Sequence, residues 1–105
     1  MSTLRRYEIL VPLLFNDGTP VPEELLAQTF TELRNNFGVA SWETQLVRGS
    51  WEHEGAVYDD NLTRFFVDVH DTPENRRFFV ELKERLKVRF DQLEIWITSH
   101  PMDVI

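Results

Sequence analysis

The chain has 105 residues, of which 42% are hydrophobic and 28% charged, a composition typical of one globular domain with a continuous core. Its formal charge of −7 works against nucleic-acid binding, which depends on neutralising phosphates. No apolar run approaches the roughly 20 residues of a membrane-spanning helix, and the lack of cysteine fits a reducing cytoplasm. We therefore expect one cytoplasmic domain over residues 1–105, with residues 1–6 and 100–105 as flexible ends or a tail and neither nucleic acid nor a membrane as partner.

The first half of the chain predicts a strand and a helix. Residues 7–15 are nearly all apolar, which favours a central strand, although Pro12 predicts a bulge or an early end. Pro22 suits the first position of a helix over residues 22–37, and Gly38 is placed to end that helix in a left-handed conformation.

Two further strands are predicted next. Residues 40–51 mostly alternate between polar and apolar, and residues 52–55 provide a turn with Gly55 at a position that tolerates positive φ. Asp59, Asp60 and Asn61 predict a break. The third strand then starts at Leu62 or Arg64 and ends at His70, with Phe65, Val67 and Val69 on one face.

The last part of the chain predicts a helix and a strand. Thr72 can cap a helix that begins at Pro73 and runs to about Phe90. Leu93, Ile95 and Ile97 alternate with polar residues and Trp96 to give a fourth strand. The element order βαββαβ predicts an α+β, ferredoxin-like sandwich, with a four-stranded antiparallel sheet of order 4-1-3-2 and both helices on one face.

The face of this sheet opposite the helices is expected to carry an apolar stripe. Alternation places Phe66 and Trp96 there, with Leu10 or Leu14 between them. An exposed stripe of this kind usually has a partner. We expect homodimerisation through this interface, since two-fold contacts are self-complementary. The C-terminal residues 102–105 or a ligand are the alternative coverings.

Catalytic candidates also lie on the predicted open face. Asp68 and His70 point the same way, roughly 6.6 Å apart along the strand, and such a carboxylate can orient an imidazole for acid-base chemistry. Arg64 lies on the same side, and Tyr58 is placed to wall one end of the face. The alternative interpretation is an ordinary polar strand end facing solvent or a dimer partner.

No cofactor or metal is expected from the sequence. His53 between Glu52 and Glu54 resembles an oxygen-rich metal site, but strand alternation sends the two carboxylates away from the imidazole. Phosphate-binding glycine loops and nucleophile elbows are also missing.

The middle and end of the chain resemble a group of short bacterial proteins of unknown function with a ferredoxin-like layout. The resemblance covers residues 46–97, and it depends on Gly49, Trp51, Gly55, Arg64, Arg89, Phe90 and Gln92. Here Asp91 separates Phe90 from Gln92. The resemblance implies the fold and no established reaction.

The sequence therefore predicts a small homodimerising module that uses its open sheet face. One alternative is a small-molecule enzyme or ligand-binding protein with a cavity near His70 on that face. The other is a monomeric adaptor for a different protein.

Overall fold

The computed structural model describes residues 3–105 and contains six elements along the chain. They are β1 (Leu4–Pro12), α1 (Glu23–Phe37), β2 (Ser41–His53), β3 (Ala56–His70), α2 (Pro73–Arg89) and β4 (Trp96–Met102). The strands form one antiparallel sheet in the order β2-β3-β1-β4, which reads β4, β1, β3, β2 from the other edge. The predicted α+β class and element order are confirmed.

Both helices cover the same face of the sheet. Tyr7 of β1 stacks on Phe79 of α2 with ring centroids 3.8 Å apart. On the same face, Phe65 of β3 stacks on Trp42, and Trp42 in turn contacts Phe30 of α1. Because side chains alternate along β1 and β3, every second residue enters this core. The buried strand residues on this face are Tyr7, Ile9, Val11, Thr63, Phe65, Val67 and Val69.

The helix ends follow from local chemistry. The Thr72 hydroxyl accepts a hydrogen bond from the backbone N–H of Asn75, and Pro73 occupies the first turn of α2, as predicted. In α1, Pro22 is the cap residue and not the first helical residue. Gly38 ends that helix with a φ of +78°, the left-handed conformation expected from the sequence.

The strand limits differ from the predicted ones at several ends. β1 spans Leu4–Pro12, and the early end at Pro12 confirms one of the two outcomes expected for that proline. β4 begins only at Trp96, so Leu93 lies in a loop and is 96% exposed, contrary to its predicted place on the helix-covered face. Residues 4–6 and 100–102 belong to β1 and β4, whereas Met1 and Ser2 lie outside the described residues.

The β2–β3 hairpin is longer than predicted and overhangs the sheet. β3 continues without a break through Asp59, Asp60 and Asn61, and its pairing with β1 ends where Pro12 lies opposite Leu62. Beyond that point β2 and β3 pair only with each other, from Val47 opposite Leu62 to His53 opposite Ala56. Acidic residues fit this overhang because solvent reaches both of its faces, apart from the half-buried Asp60.

Candidate functional site

The centre of the open sheet face is charged and internally paired. Arg6 of β1 donates hydrogen bonds to both carboxylate oxygens of Asp68, from Nε at 2.8 Å and from Nη2 at 3.0 Å. The same guanidinium lies over the ring of Phe66, 4.5 Å from its centroid. Phe66 is therefore half-buried beneath Arg6 and does not present the open apolar surface expected of it.

Strand register interrupts the predicted apolar stripe. Leu10 lies opposite Trp96 on one side, as expected, but on the other side it lies opposite Arg64. Arg64 extends toward Glu43, with Nη1 3.6 Å from the carboxylate, so this row of the sheet changes from apolar to charged. Leu14 lies beyond the end of β1, in an isolated bridge with Pro20, and is not between Trp96 and Phe66.

The four catalytic candidates share a face of β3 but do not meet. His70 and Tyr58 stand twelve residues apart on the strand, a separation of about 40 Å. Asp68 is engaged by Arg6, whose hydrogen bond lowers the pKa of the carboxyl group below its ordinary value. A carboxylate held in this way is a weak proton acceptor at neutral pH. The predicted Asp68–His70 pair is thus replaced by an Asp68–Arg6 pair.

The C-terminal residues leave the open face uncovered. Met102 ends β4 opposite Leu4 at the sheet margin, and Val104 and Ile105 are exposed. Covering by residues 102–105, one of the alternatives from the sequence, is therefore wrong.

A groove lies at the end of the open face where the hairpin overhangs. Its volume is about 690 Å³, within the usual range of small-molecule sites. The overhanging hairpin forms one wall, and the segment between α2 and β4 forms the other. The residues that line it are Leu10, Pro12, Asn16, Gly49, Ser50, Trp51, Asp60, Leu62, Gln92, Leu93, Glu94, Ile95 and Trp96.

Two exposed indoles stand in opposite walls of this groove. Trp96 is 64% exposed and Trp51 is 50% exposed. Trp51 is held in place by a stack on Tyr58, with centroids 4.6 Å apart, and by a hydrogen bond from its Nε1 to the Asp60 carboxylate at 3.0 Å. Tyr58 therefore supports the groove wall and does not belong to a site with His70.

The floor between the walls is apolar. Leu10, Pro12 and Leu62 form it where β1 ends. Gly49 lines the hairpin side, and a Cβ there would stand 3.2 Å from Cδ1 of Leu62, so that Leu62 would have to move slightly. Together with Trp51 and Trp96 these residues make an apolar end of the open face.

Sequence reasoning missed the groove because it depends on strand lengths. Asn16, Gln92 and Glu94 come from loops that only meet the hairpin because β1 stops at Pro12. The available signal was the alternation of Tyr58, Asp60 and Leu62, which continues the pattern of β3 upstream of the predicted start.

Among residues 3–105, no three histidine or acidic side chains are arranged to hold a metal ion. None of the helices in that part of the chain is long and apolar enough to cross a membrane.

Comparisons with known proteins find structural likeness only. The chain matches no protein-family model and no curated protein, so the resemblance to short bacterial proteins of unknown function gains no support. The divalent cation tolerance protein CutA1 of Thermus thermophilus superposes with a TM-score of 0.66 at 18% identity, covering 96% of this chain and 85% of that chain. CutA1 of Oryza sativa gives 0.63 at 12% identity, with 98% and 83% covered.

A phage enzyme has a similar fold. A phage SAM lyase in complex with S-methyl-5'-thioadenosine superposes with a TM-score of 0.69 at 15% identity, covering 99% of this chain and 92% of that chain. All these identities are low, so the likeness concerns the fold. The chain thus shares the ferredoxin-like architecture of CutA1 proteins and of this lyase.

Proposed function

We propose that this protein is a homo-oligomeric module, most simply a dimer, in which a second copy covers the apolar end of the open sheet face. The observation that carries the proposal is the pair of exposed indoles, Trp51 and Trp96, flanking an apolar floor. Large exposed apolar surfaces on small domains usually mark interaction sites. A two-fold contact uses the same patch twice and is the commonest form of association.

The overhanging hairpin supports the same proposal. An isolated two-stranded hairpin is marginally stable in water. Here residues 47–53 and 56–62 pair only with each other over much of their length and carry Trp51, Val57 and Tyr58 as exposed apolar side chains. A second copy packed against this ribbon would supply the burial that a single chain does not.

The proposed interface is shifted relative to the one expected from the sequence. Trp96 and Leu10 remain in it, because they are neighbours at the apolar end. Phe66 is not part of it, because Arg6 covers the ring, and Leu14 is not part of it, because Leu14 lies outside the four-stranded sheet. The paired charges at the centre of the face make close apolar stacking there unfavourable.

Molar mass in solution tests the proposal. We expect a mass of at least twice 12.5 kDa at tens of micromolar, measured by light scattering after gel filtration. Trp96→Glu places an unpaired charge in the interface and should give a monomer. Val88→Glu is the matched control, since Val88 is exposed on α2 away from the groove and its change should leave the mass unaltered.

Two results would overturn self-association at this surface. One is a wild-type monomer at tens of micromolar. The other is a Trp96→Glu protein that keeps both the wild-type circular dichroism spectrum and the wild-type mass.

A second candidate function is binding of a small molecule in the groove. The specific observation that favours it is a recess of about 690 Å³ with aromatic walls and a few polar groups, the usual make-up of a ligand site. The similar fold of the phage lyase that holds S-methyl-5'-thioadenosine suggests a compound of that size as a first probe.

Indole N–H resonances provide the readout for this second candidate. Ligand in the groove should shift the signals of Trp51 and Trp96, which line it. The Trp42 signal should stay in place, because its Nε1 donates to the Thr63 hydroxyl on the helix-covered side. Equal movement of all three signals, or of none with S-methyl-5'-thioadenosine and a broader set of small molecules, would count against a ligand site here.

A further inference from the structure

We infer that the groove selects small organic cations, such as quaternary ammonium or sulfonium compounds, over neutral or anionic molecules of the same shape. The inference rests on the second candidate function, ligand binding in the groove, and it adds the chemical class of the ligand. The groove is formed within one chain, but it lies on the surface that a second copy would cover in the proposed oligomer, so a ligand and a second copy would compete for it.

The charged side chains of the groove lining are all acidic. Asp60 stands in the hairpin wall and Glu94 in the loop wall, and the lining contains no lysine, arginine or histidine. An anion entering this space would meet two carboxylates and no basic side chain, with Asn16, Ser50 and Gln92 as the neutral polar groups. The formal charge of −7 for the whole chain adds to the same preference.

The two carboxylates differ in how far they are neutralised. Glu94 lies 2.9 Å from the ammonium of Lys83 and also accepts a hydrogen bond from the backbone N–H of Ile95 at 3.0 Å. Asp60 accepts one hydrogen bond from the neutral indole of Trp51. Among the described residues, no basic side chain lies within ion-pair distance of Asp60, so its charge is the one available to a ligand.

Aromatic surface stands next to that charge. The hydrogen bond between Trp51 and Asp60 fixes an indole beside the carboxylate at the hairpin wall, and Trp96 presents a second indole across the floor. Trp is the strongest aromatic partner for a cation, and alkylated cations lose little hydration when they enter an apolar recess. Methylated cations therefore match both the apolar floor and the acidic wall.

A pair of matched compounds separates charge from shape. Choline and 3,3-dimethylbutan-1-ol differ in a quaternary nitrogen replaced by carbon, and both dissolve in water at the millimolar concentrations needed. We expect the Trp51 and Trp96 indole signals to titrate with choline at a dissociation constant about tenfold lower than with the alcohol, since one cation–π contact plus one ion pair corresponds to roughly one decade.

Asp60→Asn tests which charge is responsible. The substitution keeps an oxygen that can accept from Trp51 and removes the negative charge, so choline should bind about fivefold to tenfold more weakly while the alcohol is unaffected. Asp59→Asn is the control. Asp59 is exposed on the opposite face of the same ribbon, so its substitution removes the same charge without changing the groove lining.

The possible results separate cation selectivity from ligand binding in the groove. Equal affinity for choline and the alcohol, or an Asp59→Asn effect as large as that of Asp60→Asn, overturns cation selectivity and leaves ligand binding standing. Absence of any indole shift with either compound and with S-methyl-5'-thioadenosine overturns both. The mass of the protein, measured on the same sample, reports on self-association separately.

Discussion

Arg6 and Asp68 form a two-pronged ion pair across β1 and β3, with both hydrogen bonds between 2.8 and 3.0 Å. The two residues lie directly opposite each other in the strand register. Their side chains are half-buried, which limits the screening of the pair by water. Because these charges are paired and Arg6 covers Phe66, the centre of the open face exposes little apolar surface. The exposed apolar surface of this face lies instead at the end with the overhanging hairpin.

Removal of Arg6 should destabilise the fold measurably. Arg6→Ala breaks both hydrogen bonds to Asp68 and uncovers Phe66, so we expect a loss of about 1–2 kcal/mol in the free energy of unfolding, the lower part of the range for charged hydrogen bonds because the pair is partly solvated. Urea denaturation measures it. In a double-mutant cycle with Asp68→Asn, strictly additive effects would contradict coupling between the two side chains.

The same pair predicts a specific pH dependence. The hydrogen bond from Arg6 lowers the pKa of Asp68 in the folded state, so the unfolded chain binds more protons at this site as the solution is acidified. The stabilisation is therefore complete above the ordinary carboxyl pKa of about 4 and is lost as the pH falls through the lower, folded value. The free energy of unfolding, measured between pH 7 and pH 3, should therefore change less steeply with pH in Asp68→Asn than in the wild type. An identical slope in wild type and variant would show that Asp68 is not the group responsible.

A second ion network joins the two helices. Arg89 donates to the buried hydroxyl of Thr29 at 2.9 Å and to the Glu32 carboxylate at 2.8 Å, and only 12% of its side chain is exposed. Burial raises the pKa of Glu32, but the hydrogen bonds from Arg89 and Arg85 outweigh it and keep the pKa below its ordinary value.

Arg89→Ala should therefore cost about 2–3 kcal/mol of stability, because charged hydrogen bonds are lost and Thr29 stays buried. Arg77→Ala is a suitable control, since Arg77 is exposed on α2. Thermal unfolding followed by circular dichroism distinguishes the two. Similar melting temperatures for both variants would mean that the network contributes little.

The features that sequence reasoning located correctly are those set by local chemistry. The cap at Thr72, the left-handed Gly38 and the alternation of Phe65, Val67 and Val69 each depend on residues close in the chain. Strand register, in contrast, depends on residues that are far apart in the chain. Whether Arg64 or Phe66 lies opposite Leu10 is decided by how β1 and β3 pair over their whole length, and a shift of two residues keeps the same side chains on the same face. The position of the apolar end of the sheet could therefore not be derived from alternation alone.

The hairpin turn provides a local test of the overhang. Glu54 and Gly55 both have positive φ, at 52° and 82°, the pattern of a two-residue turn that matches strand twist. Gly55→Ala introduces a Cβ in a left-handed conformation and should cost about 1 kcal/mol. Gly18→Ala, in a loop outside the sheet with a φ of +86°, carries the same backbone penalty and serves as the comparison. If the overhang takes part in self-association, only Gly55→Ala should also weaken the oligomer, as seen in the molar mass at low micromolar concentration.

Hydrogen exchange should reveal the dependence of the overhang on a second copy. Amides of residues 47–53 and 56–62 belong to a two-stranded ribbon, whereas those of β1 and the rest of β3 lie in the middle of a four-stranded sheet. Self-association stabilises whatever it covers by mass action. Protection of the ribbon amides should thus rise as the protein concentration is increased from about 1 µM to 100 µM, while the amides paired between β1 and β3 keep their exchange rates or gain far less. Ribbon amides that exchange at the same rate across this range would mean that no second copy covers the hairpin, and this would count against the proposed interface.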